Sequence, residues 1–207
     1  MHGLIFASLR DYTVLRLGEE RAVELWANRI FETTEAYDDE QFSAQLEGLV
    51  AASGHSMDEV QRGFGSFAAK STFAGLYPGY YAESTDTFTF LLGIEEKIHE
   101  LVRATIAGAY PPKLHVQPLG EVGVLVSYTS DRRLCDLLVG LVLGTAEHYG
   151  EAIVVEELQC MHLGDPGCVF TVMRPETEER PVTRSVFERL PRGALTSPAP
   201  AGRDRGT

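Results

Sequence analysis

The stretch Lys113-Leu114-His115-Val116-Gln117-Pro118-Leu119-Gly120-Glu121-Val122-Gly123-Val124-Leu125-Val126-Ser127-Tyr128-Thr129-Ser130-Asp131-Arg132 decides the fold. Lys113 to Gln117 and Val122 to Tyr128 read as strands on either side of a Pro118-Leu119-Gly120 turn. Upstream the pattern is helical. Residues 4–17 are largely apolar, Gly18 ends that run, and Glu19-Glu20 open a second helix through about Ile30. Thr33 to Asp38 is a polar loop. Asp39 to Ala52 places Phe42, Leu46, Leu49 and Val50 on one side of a third helix. Ser56 with Glu59 three residues on is a capping-box start for a helix carrying Val60, Phe64 and Phe67, and Tyr77-Pro78-Gly79 is a break.

Phe88 to about Ala107 reads as the next helix, with Phe88, Leu92, His99, Val102 and Ile106 on its apolar face. Gly108, Pro111 and Pro112 end it. Downstream of the first hairpin, Arg132 to Tyr149 is an apolar helix. Ala152 to His162 and Cys168 to Met173 are strands joined by Gly164-Asp165-Pro166-Gly167. A helical N-terminal half followed by β-β-α-β-β is α+β, an antiparallel sheet with an inserted helix. From Arg174 on, periodicity fades. Residues 1–174 are therefore expected to form one domain, and 175–207 a mostly disordered tail with a short helix at Ser185 to Leu190.

The 207 residues carry a net charge of −12 and a pI near 4.9, which speaks against nucleic acid and anionic membranes as partners. No apolar run approaches the roughly 18 residues of a membrane span. The start Met1-His2-Gly3-Leu4-Ile5-Phe6 lacks the basic flank of a secretion signal, so the cytoplasm is the expected compartment. Three cysteines do not make a disulfide framework.

His99 sits in Ile94-Glu95-Glu96-Lys97-Ile98-His99-Glu100-Leu101-Val102, in phase with the apolar face. A five-coordinate haem iron needs one neutral imidazole from a rigid element in an apolar pocket. Alone, a mid-helix His is more often a core side chain bonded to a carbonyl. On a strand, Tyr128, Ser130 and Arg132 share a face and present two hydroxyls and a guanidinium, partners suited to two carboxylates. Alone, this is also the pattern of a strand end with a surface Arg. The acidic pairs Glu19-Glu20, Asp38-Asp39 and Glu95-Glu96 read as solvated helix faces. His2, His55, His115 and His148 have no sequence partner that argues for a role. There is no phosphate loop, nucleophile elbow or catalytic triad.

The Met-x-Gly-x-Ile start, Phe64-Gly65-x-Phe67, the His99 helix, Pro111-Pro112, Tyr-x-Ser-x-Arg and the following helix occur in one order. That order resembles the H-NOX family, the haem-nitric-oxide/oxygen-binding domains related to the haem domain of soluble guanylate cyclase, over roughly residues 1–174. The spacing of His99, Pro112 and Tyr128 agrees without gaps. The resemblance implies haem b, with His99 as its iron ligand and Tyr128, Ser130 and Arg132 as the propionate clamp. It also implies that Pro112 presses on and distorts the haem and that Ile5 packs against it. Oxygen-binding members carry a distal Tyr where this chain has Leu137. Leu134, Leu138 and Leu141 add no donor, and Phe73 and Phe67 are further distal candidates. The resemblance thus implies a sensor of NO and CO, not an enzyme. Its signal would be displacement of His99, passed in trans to a histidine kinase or cyclase-type protein.

Cys135 opens the helix after the clamp, Cys160 and His162 share a strand face, and Cys168 follows the turn. This spacing suits a Cys3His zinc site or three buried thiols with a surface His. The order also resembles a zinc-bearing subset of H-NOX proteins, which adds a thiol-redox sensor as an alternative function.

Overall fold

The computed structural model describes residues 1–27, 29–105 and 107–175. The expected tail beyond Pro175 and its short helix lie outside the described residues. Helix α1 (Gly3–Leu17) starts on the His2 side chain, which accepts from Leu4 N, and α2 (Glu19–Trp26) follows. The second helix stops four residues before Ile30. Trp26 is buried in the core, Ala27 turns left-handed at φ 46°, and Ile30 is left exposed. Helix α3 (Asp39–Ser53) ends at Gly54 (φ 73°). Helix α4 (Met57–Phe67) has the expected capping box, with Ser56 N donating to Glu59 Oε2 at 2.9 Å. A pair of this kind is worth about 1 kcal/mol.

A π-helical segment (Ala68–Phe73), α5 (Ala74–Leu76) and α6 (Pro78–Glu83) lead to α7 (Thr87–Ile94), which Asp86 caps. The helix expected over 88–107 is divided. A π-helical turn (Glu95–His99) separates α7 from α8 (Glu100–Thr105). That extra residue per turn rotates the face. Leu92 is therefore exposed rather than buried, while Leu91 is buried. Residue 106 lies outside the described residues.

Strands β1 (Lys113–Pro118), β2 (Gly123–Thr129), β3 (Val154–Gln159) and β4 (Cys168–Met173) form one antiparallel sheet in the order β1-β2-β4-β3. The third strand is shorter than expected. It carries a bulge between Glu157 and Gln159, then leaves the sheet at Cys160 into a 3-10 turn (Met161–Leu163). Cross-strand partners share a face. Leu114, Tyr128, Cys168, Val126 and Phe170 thus line one side, packed in a core with Leu138 and Val142 of α9 (Cys135–Tyr149). A second core joins Phe6, Leu9, Trp26, Phe42, Leu46 and Phe64, and Leu134, Leu137 and Leu141 pack against it. Helix α9 thus serves both cores. It lies close against α4 because Gly140 and Gly65 meet there. A Cβ at Gly140 would lie 2.2 Å from the Arg62 carbonyl oxygen, and one at Gly65 2.4 Å from that of Leu137.

Candidate functional site

Between α1, the Ala68–Phe73 segment, α7, the His99 turn, β1 and α9 lies a cavity with about 220 Å³ open to the centres of water-sized molecules. Its walls are mostly apolar. Ile5, Phe73, Pro112, Leu134, Leu137, Leu138 and Leu141 all line it. Phe67 does not line it and packs beside Tyr12 instead.

His99 enters from the π-helical turn, its side chain 12% exposed. Nδ1 pairs with Glu95 Oε2 at 2.9 Å. A carboxylate only accepts, so Nδ1 carries the proton and Nε2 keeps its lone pair. Nε2 makes no hydrogen bond to a described residue. Burial lowers the His99 pKa, with Glu95 opposing it, and the ring stays neutral as an iron ligand requires. Burial pushes the Glu95 carboxyl up, but hydrogen bonds from His99, Arg103 and Leu114 N outweigh it and hold it below the ordinary value.

Tyr128, Ser130 and Arg132 all line the cavity. They do so by a different route from the one the strand period implies. Strand β2 ends at Thr129, and 130–133 is a turn in which Arg132 N donates to Ser130 Oγ at 3.3 Å and Arg133 is left-handed at φ 51°. The Tyr128 hydroxyl accepts from Leu134 N at 3.1 Å, which leaves its proton free to donate. Burial raises its pKa, so it remains a donor. The Arg132 guanidinium is held by Asp39, at 2.7 Å from Nε, and by the Tyr110 carbonyl.

The structure also brings in residues that sequence reading missed. His2 lines the cavity. Its Nδ1 accepts from Leu4 N, and its Nε2 is buried with no partner among the described residues. An orphaned buried N–H costs roughly 1–3 kcal/mol, and a ligand carboxylate in the cavity would satisfy it. Tyr77, Tyr81 and Thr145 also line the wall. The Tyr81 hydroxyl is spent on the Ala69 carbonyl and that of Thr145 on Leu141, and burial pushes the Tyr81 phenol up to about 12. Only the folding of the 66–85 segment brings Tyr77 and Tyr81 here.

The cavity thus pairs one neutral imidazole with an apolar wall and a polar rim of two hydroxyls, a guanidinium and an unpartnered imidazole N–H. That set fits a large flat apolar group with carboxylates at one edge, which is the chemistry of haem.

The second expected cluster forms only in part. Cys135, Cys160 and Cys168 are buried, and the Cys168 and Cys135 sulfurs lie 3.1 Å apart. His162 does not join them. It is exposed on the 3-10 turn, and its Nε2 bonds the Arg133 carbonyl at 2.8 Å. Glu157 stands in its place, with one oxygen and the three sulfurs all within 4.8 Å of one another. The bulge explains the exchange. Glu157 pairs with Phe170 and so shares the face of Cys168, whereas leaving the strand at Cys160 turns His162 away. Burial and the neighbouring thiols push Cys135 up.

Fold and site together define an α+β domain in which the neutral His99 imidazole faces an apolar cavity also lined by hydroxyl and guanidinium groups. A family described as Haem-NO-binding matches residues 2–157, and the chain belongs to that family of H-NOX domains, which bind haem and gaseous ligands. No characterised protein sequence matches at a significant level. The structure is similar to an H-NOX protein from S. oneidensis in the Fe(II)NO ligation state, at 24% identity. That match covers 85% of this chain and 100% of that one, with a TM-score of 0.79. It is also similar to an unliganded Fe(II) point mutant of an H-NOX protein from K. algicida, at 23% identity, 86% and 98% coverage and TM-score 0.73. Among the described residues no helix is long and apolar enough to cross a membrane.

Proposed function

We propose that the chain is a haem-based sensor of nitric oxide and carbon monoxide that signals to a separate effector through displacement of His99. The observation that carries this reading is His99, whose unprotonated Nε2 lines an apolar cavity with a carboxylate-binding rim. Haem b, when bound, would be held by His99 and would supply an iron able to take a gaseous ligand. The chain's own residues do the rest. Tyr128, Ser130, Arg132 and His2 hold the carboxylates. Pro112 and Ile5, which line the cavity, would pack against the group and constrain it. Leu134, Leu137, Leu138 and Leu141 exclude water and offer no donor, and the Tyr81 and Thr145 hydroxyls on the same wall already donate to backbone carbonyls, which leaves Tyr77 as the wall's remaining hydroxyl. Dioxygen needs a hydrogen bond to stay bound and nitric oxide does not, so this wall favours NO and CO. Once displaced, His99 shifts the π-helical turn and α8, and a histidine kinase or cyclase-type partner in trans reads that shift. The role is signalling rather than catalysis, and the cytoplasm, where thiols stay reduced, suits it.

The test is the absorption spectrum of the dithionite-reduced protein supplied with haem, before and after nitric oxide and then in air. The expected spectrum is that of a ferrous haem that loses its imidazole when nitric oxide is added and forms no stable complex in air. A His99→Ala variant with stable, stoichiometric haem would overturn the assignment.

The thiol cluster favours a second reading, a zinc site that senses oxidation. Three sulfurs and a carboxylate oxygen within 4.8 Å approach the spacing of about 3.8 Å between sulfurs around a tetrahedral zinc. Zinc there would deprotonate the Cys135 and Cys160 thiols, which burial otherwise keeps neutral. Zinc content that is unchanged by peroxide counts against this reading.

A further inference from the structure

The sequence reading placed Glu95 on a solvated helix face. The structure places it behind His99. The π-helical turn Glu95–His99 brings the two together, and Glu95 Oε2 accepts from both His99 Nδ1 (2.9 Å) and the backbone N–H of Leu114 (3.1 Å). Oε1 accepts from Arg103. The carboxylate is therefore held from three sides. One of its partners lies on β1, 19 residues away, and its own side chain is 29% exposed. A surface Glu–His pair at this spacing would be free to part. This one is fixed by the sheet edge and by a guanidinium.

We infer that Glu95 is a positioning residue for the iron ligand: it holds the Nδ1 proton of His99, aims Nε2 into the cavity and makes the imidazole a stronger donor. This rests on His99 being the haem ligand. A carboxylate accepting the far N–H of a ligating His gives the ring partial imidazolate character and raises its basicity, and losing such a partner typically weakens metal binding roughly 10–100-fold. The consequence concerns signalling. A more basic, anchored His99 leaves its iron less readily than an imidazole with no partner, so Glu95 sets how completely nitric oxide displaces it. Its bond to Leu114 ties the position of His99 to β1. Release of His99 is thereby felt at the sheet as well as along α8.

The experiment compares the full chain with Glu95→Gln and Glu95→Leu, each loaded with haem and reduced. Resonance Raman reads the iron–histidine stretch, and absorption reads the fraction of His99 displaced by nitric oxide. Glu95→Gln keeps an acceptor of the same length but removes the charge. The expected result is a lower stretching frequency and a larger displaced fraction, both more pronounced in Glu95→Leu, with haem affinity reduced roughly 10–100-fold there. In the haem-free protein, nitrogen NMR should show His99 protonated at Nδ1, and a mixture of tautomers in Glu95→Leu. A stretch and a displaced fraction unchanged in Glu95→Gln would overturn the inference while leaving His99 as ligand. A native chain with no iron–histidine stretch at all would overturn the haem-ligand reading itself. Should Glu95→Leu fail to fold, Glu95→Gln and the NMR tautomer of the native chain still decide.

Discussion

Asp39 Oδ1 accepts the Nε–H of Arg132 at 2.7 Å, tying the start of α3 to the turn after β2 across 93 residues of chain. Asp39 also takes the N-terminal amine at 2.7 Å. The Arg132 guanidinium, proposed above to hold a haem carboxylate, is thus pre-positioned by a charge on another element. Asp39→Ala should loosen that positioning while leaving Arg132 itself present. A charged hydrogen bond is worth about 1.5–3 kcal/mol, but Asp39 is 47% exposed and solvent screening reduces this to about 1 kcal/mol. Haem transfer to a scavenging apoglobin should therefore run about fivefold faster in Asp39→Ala, and faster still in Arg132→Ala. Equal rates in native and Asp39→Ala protein would show that Arg132 needs no such holder.

The crossing of α4 and α9 makes a steric prediction. Gly140→Ala gains about 1 kcal/mol of helix propensity but puts a methyl 2.2 Å from a backbone oxygen, and the helices must separate. Overpacking of this kind costs about 1–3 kcal/mol. The melting temperature should fall by about 2–4 °C for each net kcal/mol lost. Gly75→Ala, whose added Cβ meets nothing within 4 Å, should be neutral or slightly stabilising in the same assay.

Leu137 bears on ligand choice. It lines the cavity among other leucines. Leu137→Tyr adds a hydroxyl to that wall and should let the haem-loaded protein hold dioxygen in air-saturated buffer, with nitric oxide binding retained. Stopped-flow absorption measures the dissociation rate. A Leu137→Tyr variant that, like the native protein, forms no stable complex in air would mean that the hydroxyl does not reach the ligand.

The thiol cluster separates two candidates for its fourth donor. Glu157→Ala should lower zinc content, whereas His162→Ala should leave it unchanged, because His162 bonds the Arg133 carbonyl instead. Metal analysis after purification with added zinc reads both. The reverse result would favour a rearranged turn in the metal-bound protein.

A pH prediction follows from Glu151. Its carboxylate accepts from Thr87 N at 2.8 Å and from Arg174 at 3.1 Å. Burial raises its pKa, but bonds from Thr87 and Arg174 outweigh this and the net shift is downward. A carboxyl lower in the folded than in the unfolded chain stabilises fully above the unfolded value, about pH 4.3, and loses that contribution as pH falls through the folded value. Glu151→Gln should thus cost about 1 kcal/mol at pH 7 and little at an acid pH below the folded value. Urea denaturation at the two pH values measures the difference.

Most elements were legible because they rest on local signals. The Ser56/Glu59 capping box, the Gly54 helix end and the Pro118-Leu119-Gly120 turn each depend on neighbours a few residues away. Three features depended on distant partners and were not legible. Nothing in Glu95-Glu96-Lys97-Ile98-His99 announces a π-helical turn, which the arrangement of His99, Arg103 and Leu114 around Glu95 accompanies. The strand period placed His162 with Cys160, but a bulge near Glu157 exchanged one donor for another. His2, without a sequence partner, acquires a setting only when α1 reaches the cavity.

By itself the sequence determined the order of helices and strands, the apolar character of the pocket wall, and which side chains had the chemistry to ligate and to clamp. Periodicity, turns and residue type are local properties that a linear chain carries openly. Tertiary structure alone decided that Asp39 would hold Arg132, that Glu95 would stand behind His99, and that Glu157 rather than His162 would face the three thiols. Each of these is a contact made when separate elements pack, and its geometry depends on helix phase and strand register that a single inserted residue can change.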